Sequence, residues 1–140
     1  MKVMTFDPGS HTGWSFWDNG ILTECGCAIE LLELISKMSY FLSPGNIVVC
    51  EDFIGKSNTN DEKLAIRRIG TIETMAKIMH CKLVMQVPAV RKGYLQFAKG
   101  FQLLQNVDPS IRRHAKDAIA HGIRYHCKEV EGWQKQYLTY

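Results

Sequence analysis

Lys2-Val3-Met4-Thr5-Phe6-Asp7-Pro8-Gly9-Ser10-His11-Thr12-Gly13-Trp14-Ser15-Phe16-Trp17-Asp18-Asn19-Gly20 is the stretch on which the fold turns. Lys2 to Asp7 alternates loosely and reads as a strand that ends at a carboxylate. Pro8 to Gly13 is a turn. Trp14 to Trp17 resumes a strand, Asp18-Asn19-Gly20 turns it, and Ile21 to Ile29 returns. Asn-Gly between two apolar runs signals a hairpin, because both residues tolerate the positive φ of a tight reversal. The chain therefore opens with an antiparallel meander of three strands.

Working outward, Glu30 to Phe41 carries apolar residues at helical spacing (Leu31, Leu34, Ile35, Met38), continued by Leu42. Ser43-Pro44-Gly45-Asn46 stops that helix. Ile47-Val48-Val49-Cys50 is short and wholly apolar, as expected of a strand covered on both faces. It delivers Glu51 and Asp52 at its end. Residues 55–60 are polar and glycine-bearing and read as a mobile loop. Asp61 to His80 is a long helix with Ala65, Ile69, Ile72, Ala76 and Met79 on its apolar face. Gly70 interrupts it, which points to close approach of another backbone. Lys82 to Val87 is a fifth strand ended by Pro88, and Ala89 to Phe97 a short helix. Lys99 to Asn106 is ambiguous. Asp108-Pro109 reads as an N-cap followed by proline at the first helical position. That last helix runs to about His126 and buries Ile111, Ala115, Ala118, Ile119 and Gly122. The tail from Glu129 is polar with three aromatics. The expectation is a single α/β domain over residues 1–140 with a five-stranded mixed sheet flanked by helices, in the element order of ribonuclease H-like folds.

Hydrophobic residues make up 46% of the 140, so the chain is no disordered tail. No apolar run approaches the ~18 residues of a membrane span. The start reaches a charge too early for a signal-peptide core, and a cytosolic protein is the simplest expectation. Cys25, Cys27, Cys50, Cys81 and Cys127 are odd in number and suggest no disulfide framework. Cys25-Gly26-Cys27 and His126-Cys127 lack the usual C-x2-4-C spacing of zinc sites and read instead as free thiols, with Cys50 buried in a strand. The net charge of +3 is modest, but Arg67-Arg68, Arg91-Lys92 and Arg112-Arg113 with Lys116 clump the positive charge. Nucleic acid favours such spots, and so do solvated helix faces.

Three carboxylates occupy informative places. Asp7 ends the first strand, Glu51 ends the fourth, and Asp117 lies in the last helix beside Ala118 and Ala120. If strands one and four are neighbours, Asp7 and Glu51 share one end of the sheet, and the last helix can add Asp117. His114, three residues earlier, faces the same way. Crowded carboxylates repel unless a cation lies between them, and oxygen-rich sites suit magnesium or manganese. Two such ions can hold a phosphodiester for attack by water without a nucleophilic side chain. Each residue also has an ordinary reading: Asp7 as a turn cap, Glu51 as a partner of lysine, Asp117 and His114 as surface positions. The joint pattern is stronger than any member.

The sequence resembles the RuvC-like Holliday-junction resolvases. Phe6 to Ser15 looks like that family's first motif, aspartate-proline-glycine with a later threonine-glycine-aromatic. Ile47 to Phe53 looks like its second, a hydrophobic strand ending in glutamate. Gln86-Val87-Pro88-Ala89-Val90-Arg91-Lys92 is similar to its proline-containing basic segment, and His114-Ala115-Lys116-Asp117-Ala118-Ile119-Ala120 to its last. Members carry aspartate or histidine three residues before the final aspartate. The likeness spans roughly Met1 to His126. It implies a homodimer that binds four-way DNA junctions and nicks two strands symmetrically with magnesium, which manganese can replace. Asp7, Glu51, His114 and Asp117 would be the catalytic metal ligands. The segment before the last helix is short for the family. The aromatic after the glutamate is Phe53, with Ile54 in the family's usual position, so burial of Phe53 competes with a stacking role. So compact a chain resembles phage-encoded members, which would act in the host cytoplasm.

A site of this kind needs a basic surround to neutralise phosphates. Lys56, Arg67, Arg68, Arg91, Lys92, Arg112, Arg113 and Lys116 are the candidate backbone contacts. Residues 55–60 would probe the junction centre, and Ile66 and Ile69 would lie in a dimer seam. Three rivals stand beside this reading. A sugar-kinase-like phosphotransferase would need two such domains. A non-cleaving branched-DNA module would be free to lose a carboxylate. A cousin acting on RNA-containing substrates has the same motifs.

Overall fold

The computed structural model describes residues 1–53 and 59–133, with the backbone alone at Val90. Strands β1 (Lys2–Asp7), β2 (Thr12–Asp18) and β3 (Ile21–Ala28) form the antiparallel meander. Asn19 and Gly20 both take positive φ, 50° and 80°, as the two-residue reversal requires. Helix α1 (Leu31–Phe41), strand β4 (Ile47–Glu51), helix α2 (Asn60–Ile78) and strand β5 (Lys82–Gln86) follow. β4 pairs parallel with β1, and β5 parallel with β4, giving the order β3-β2-β1-β4-β5. The chain continues through a 3₁₀ turn (Pro88–Gly93), the short helix α3 (Leu95–Ala98), a second 3₁₀ turn (Gln102–Asn106) and helix α4 (Arg112–Glu129).

Successive side chains on a strand point to opposite faces, and this alternation sorts the core. Met4, Phe6, Trp14, Phe16, Val48 and Cys50 join Leu34 and Met38 of α1 and Ile69, Ile72 and Ala76 of α2. Val3, Trp17, Ile47 and Val49 join Ala115, Ile119 and Ile123 of α4 on the other side. Asp7 continues the Val3 row and Glu51 the Ile47 row, so the alternation turns both carboxylates towards α4.

Helix α4 is pinned hard against the sheet. The Thr5 hydroxyl donates to the Ala118 carbonyl at 2.6 Å and shares a second hydrogen bond with Ser15. The Trp17 indole N–H donates to the Ser15 hydroxyl at 2.8 Å. Two glycines permit the approach. A Cβ at Gly13 would run into the His114 carbonyl, and one at Gly122 would strike the Trp17 indole.

Several expectations need correction. α4 starts at Arg112, not at Asp108, and continues to Glu129. The Asp108 carboxylate accepts from the Ser110 N–H and hydroxyl, both at 2.9 Å, so it closes a local turn before the helix instead of capping it. The expected short helix Ala89 to Phe97 divides into a 3₁₀ turn and one turn of α-helix. Gly70 faces open space, with no backbone near it. Ile69 is buried against the sheet and is unavailable for a seam, whereas Ile66 is exposed. Lys56, most of the 55–60 loop and the tail beyond residue 133 lie outside the described residues. The described start of that tail packs inward, with the Trp133 indole N–H donating to the Gly20 carbonyl at 2.9 Å.

The two glycines 13 and 70 should respond oppositely to alanine. Gly13→Ala forces α4 off β2 and should cost more than ~3 kcal/mol, the upper end of ordinary overpacking. Gly70→Ala, in an exposed helix interior, should gain about 1 kcal/mol. Urea unfolding of both variants checks this; equal effects would contradict the described contact of α4 with β2.

Candidate active site

Asp7 closes β1 and Glu51 closes β4, one step beyond the paired residues Phe6 and Cys50. Asp117 precedes Ala118, whose carbonyl is tied to Thr5. The three carboxylates converge on a single atom. Arg91 Nη1 lies 3.1 Å from Asp7 Oδ1, 2.9 Å from Glu51 Oε2 and 3.7 Å from Asp117 Oδ2. His114 lines the same hollow of about 420 Å³, together with His11, Phe53 and Arg113. All four residues picked out by sequence as metal ligands therefore share one pocket.

The charge balance is unfavourable. Three carboxylates against one guanidinium leave two formal negative charges. Burial pushes the Asp7 carboxyl up to about 8, and the neighbouring Glu51 and Asp117 charges add to the rise. The Arg91 guanidinium opposes it, and a hydrogen bond with the Asp117 carboxyl reinforces it. Among the described residues no set of three or more His, Cys, Asp or Glu stands in metal-ligand geometry; the three carboxylates share Arg91 instead. The three carboxylates nevertheless give a convergent set of oxygen donors deficient in positive charge, which is what a hard divalent cation requires. His114 is held below its ordinary range by burial and then by Arg113 and His11, against the pull of Asp117. Its ring stacks on His11 with centroids 5.3 Å apart. A neutral imidazole is the form able to ligate a metal.

Sequence reading missed His121. Its ring is fully buried, with Nε2 2.6 Å from Glu51 Oε2 and Nδ1 2.7 Å from the Gln86 side-chain oxygen position. Each ring nitrogen therefore has a polar partner, the Glu51 carboxylate on one side and the Gln86 side-chain amide on the other. Glu51 is thus held from behind. The available signal was spacing: His121 follows His114 by seven residues and Asp117 by four, which places all three on one helical face.

The basic residues divide. Arg113 is exposed at the edge of the carboxylate hollow. With Lys99, Arg112 and Lys116 it lines an adjoining hollow of about 280 Å³, so the acidic pocket has a basic neighbour. Lys99 was not among the candidates. Arg112 donates to the Val107 and Gln105 carbonyls and secures the start of α4. Lys92 is exposed on the far side of Arg91. Arg91 itself was expected as a surface contact to DNA, and its guanidinium lies instead among the carboxylates. Arg67 lines a separate hollow with Ile35 and Thr71, and Arg68 donates to the Ile29 carbonyl at 3.3 Å. Neither lines the carboxylate pocket.

The architecture is that of the ribonuclease H-like α/β proteins, with an acidic cluster at the carboxyl ends of the central strands. Its version of that fold is the one found in RuvC. T. thermophilus RuvC in complex with Holliday junction substrate superposes with a TM-score of 0.67 at 15% identity, over 89% of this chain and 92% of that one. T. thermophilus RuvC in a second structure gives 0.56 at 16% identity, over 91% and 96%. Fowlpox virus resolvase in complex with substrate Holliday junction DNA gives 0.57 at 10% identity, over 88% and 97%. At these identities the likeness is one of fold. No protein-family model matches the sequence, and no curated protein matches it.

The buried negative charge makes a stability prediction. The folded Asp7 carboxyl titrates near 8 and the unfolded one near 3.8, so folding takes up a proton between these values. Stability contributed by Asp7 is therefore lost as pH rises from about 4 to 8 and stays lost above. In EDTA, Asp7→Asn should melt close to wild type near pH 4 and several degrees higher at pH 8.5. A melting-temperature difference that does not grow with pH would count against this account.

Proposed function

We propose that this chain is a metal-dependent endonuclease that cuts branched DNA, four-way junctions above all. The observation that carries the reading is the meeting of Asp7, Glu51 and Asp117 at one cationic centre, beside a basic hollow and on the fold of RuvC. Asp7, Glu51 and Asp117, with His114, would hold magnesium or manganese. When bound, such ions supply a water nucleophile at neutral pH and stabilise the leaving oxygen.

The chain's own residues do the rest. Thr5 and Ser15 fix α4, and with it Asp117, against the sheet. His121 and Gln86 fix the rotamer of Glu51. Buried on one side and open on the other, the pocket presents these carboxylates to a phosphodiester. Arg113, Lys116 and Lys99 lie where phosphates flanking the cut would pass. Contacts of that kind position the nucleic acid and carry little sequence information. Symmetric nicking of a four-way junction would take two copies, and the exposed Ile66 on α2 is available to a homodimer contact.

The test is a cleavage panel with a labelled four-way junction, a linear duplex and an RNA–DNA hybrid, in magnesium and in EDTA. Magnesium-dependent paired nicks on the junction are expected, with the other substrates cut poorly. Asp7→Asn should abolish cutting and keep junction binding. His121→Ala, which removes the support behind Glu51 and also leaves Gln86 without its partner, should slow cutting roughly 10- to 100-fold, the usual loss for a residue that orients a metal ligand. Binding without cutting would make the chain a recognition module, and preferential cutting of the hybrid would make it an RNA-directed nuclease.

A further inference from the structure

The Arg91 guanidinium occupies the point towards which Asp7, Glu51 and Asp117 all converge. Magnesium draws its oxygen ligands to about 2.0–2.1 Å, which leaves no room for a guanidinium nitrogen at the same place. We propose that Arg91 is an internal cation that closes the carboxylate cluster in the free protein, competes there with the divalent ion, and transfers to a DNA phosphate when substrate arrives. This rests on the metal-dependent reading above and adds to it a residue with two alternative partners.

Four observations support the exchange. Arg91 comes from the short 3₁₀ turn Pro88–Gly93 and not from a strand or a long helix. Its side chain is 29% exposed, whereas those of Asp7 and Glu51 are 11% and 13% exposed, so the guanidinium has a way out that the carboxylates lack. Beyond it lies a second hollow lined by Pro88, Ala89 and exposed Lys92, where a phosphate would meet two cations together. Finally, a single guanidinium faces three carboxyl groups, so a divalent ion is the better counter-charge once Arg91 has another partner.

The fork of N–H donors on arginine suits carboxylate and phosphate alike, so the transfer exchanges one charge-assisted pairing for another. Without the phosphate, freeing Arg91 breaks its charge-assisted pairings with the carboxylates for contact with water alone, and ion binding would have to overcome that cost. The metal's apparent affinity in the free protein is then reduced by the fraction of molecules in which the cluster is open. Coupling between two ligands is reciprocal, so DNA and metal each strengthen the other's binding. Arg91 would thus hold the carboxylates together without metal and delay metal loading until a phosphate is present.

The experiment is calorimetric titration of manganese into the full chain without DNA, comparing wild type with Arg91→Ala and with Asp7→Asn as a ligand-deficient control. Arg91→Ala should bind manganese roughly tenfold or more tightly than wild type. Millimolar ethylguanidinium, a free copy of the removed group, should reverse that gain in the variant and leave wild type unchanged. At saturating manganese the variant should still cut junctions more slowly, because the phosphate has lost its partner. Should Arg91→Ala need metal to fold, wild type alone decides: an uncleavable phosphorothioate junction must raise its manganese affinity. Equal affinity in wild type and Arg91→Ala, with wild-type cleavage intact, overturns the competition and leaves the nuclease reading standing. Variant cleavage as fast as wild type at saturating manganese overturns the transfer to phosphate. No manganese binding and no cleavage by either protein removes both readings.

Discussion

Repulsion between three carboxylates held within reach of one guanidinium nitrogen is the constraint to which the rest of the structure answers. Such a cluster does not assemble spontaneously, because burial and like charge both disfavour it. The protein forces it by geometry. Parallel pairing of β1 with β4 sets the strand ends side by side, and the two-residue alternation points both carboxylates the same way. The hydroxyls of Thr5 and Ser15 then draw the backbone of α4 against β1 and β2, and the third carboxylate arrives with it. The apolar contacts on both faces of the sheet supply the free energy that holds these charges together.

How much of this was legible depended on the kind of signal each residue gives. Strand ends can be read, because a run such as Ile47 to Cys50 has an obvious stop, so Asp7 and Glu51 could be named as candidates that the fold brings together. Asp117 could be found because small apolar neighbours mark a packed helix face. Arg91 looked like a surface charge, since nothing in an irregular turn after a strand says which way a long side chain points. His121 resembled any helical histidine until Gln86 and Glu51 were seen on either side of it. Gly13 read as a turn residue, while its actual constraint is a helix some hundred positions later, which local pattern cannot show. Asp108-Pro109 has the composition of both a helix cap and a local turn, and only the start of α4 at Arg112 separates the two.

The likeness to RuvC and the fowlpox resolvase persists at 10–16% identity, and the reason is visible in what the fold demands. A parity rule, a hairpin reversal and a few small residues under α4 fix the backbone, and many apolar side chains can fill the two layers between. Fold therefore outlasts sequence, and function has to be argued from the site itself. Here the argument comes from oxygen donors, an excess of negative charge and an adjoining basic hollow.

The seam between Gly122 and Trp17 has a mechanical consequence. With no side chain at one position and an indole filling the other, α4 can neither slide nor roll along β2 without collision. The acidic wall of the pocket is a fixed jaw. The pocket's other described walls, the turn between β1 and β2, the start of α2 and the turn that carries Arg91, are not clamped by that seam. Any change in the width of the pocket would accordingly be taken up by those segments, and hardly at all by the sheet or α4.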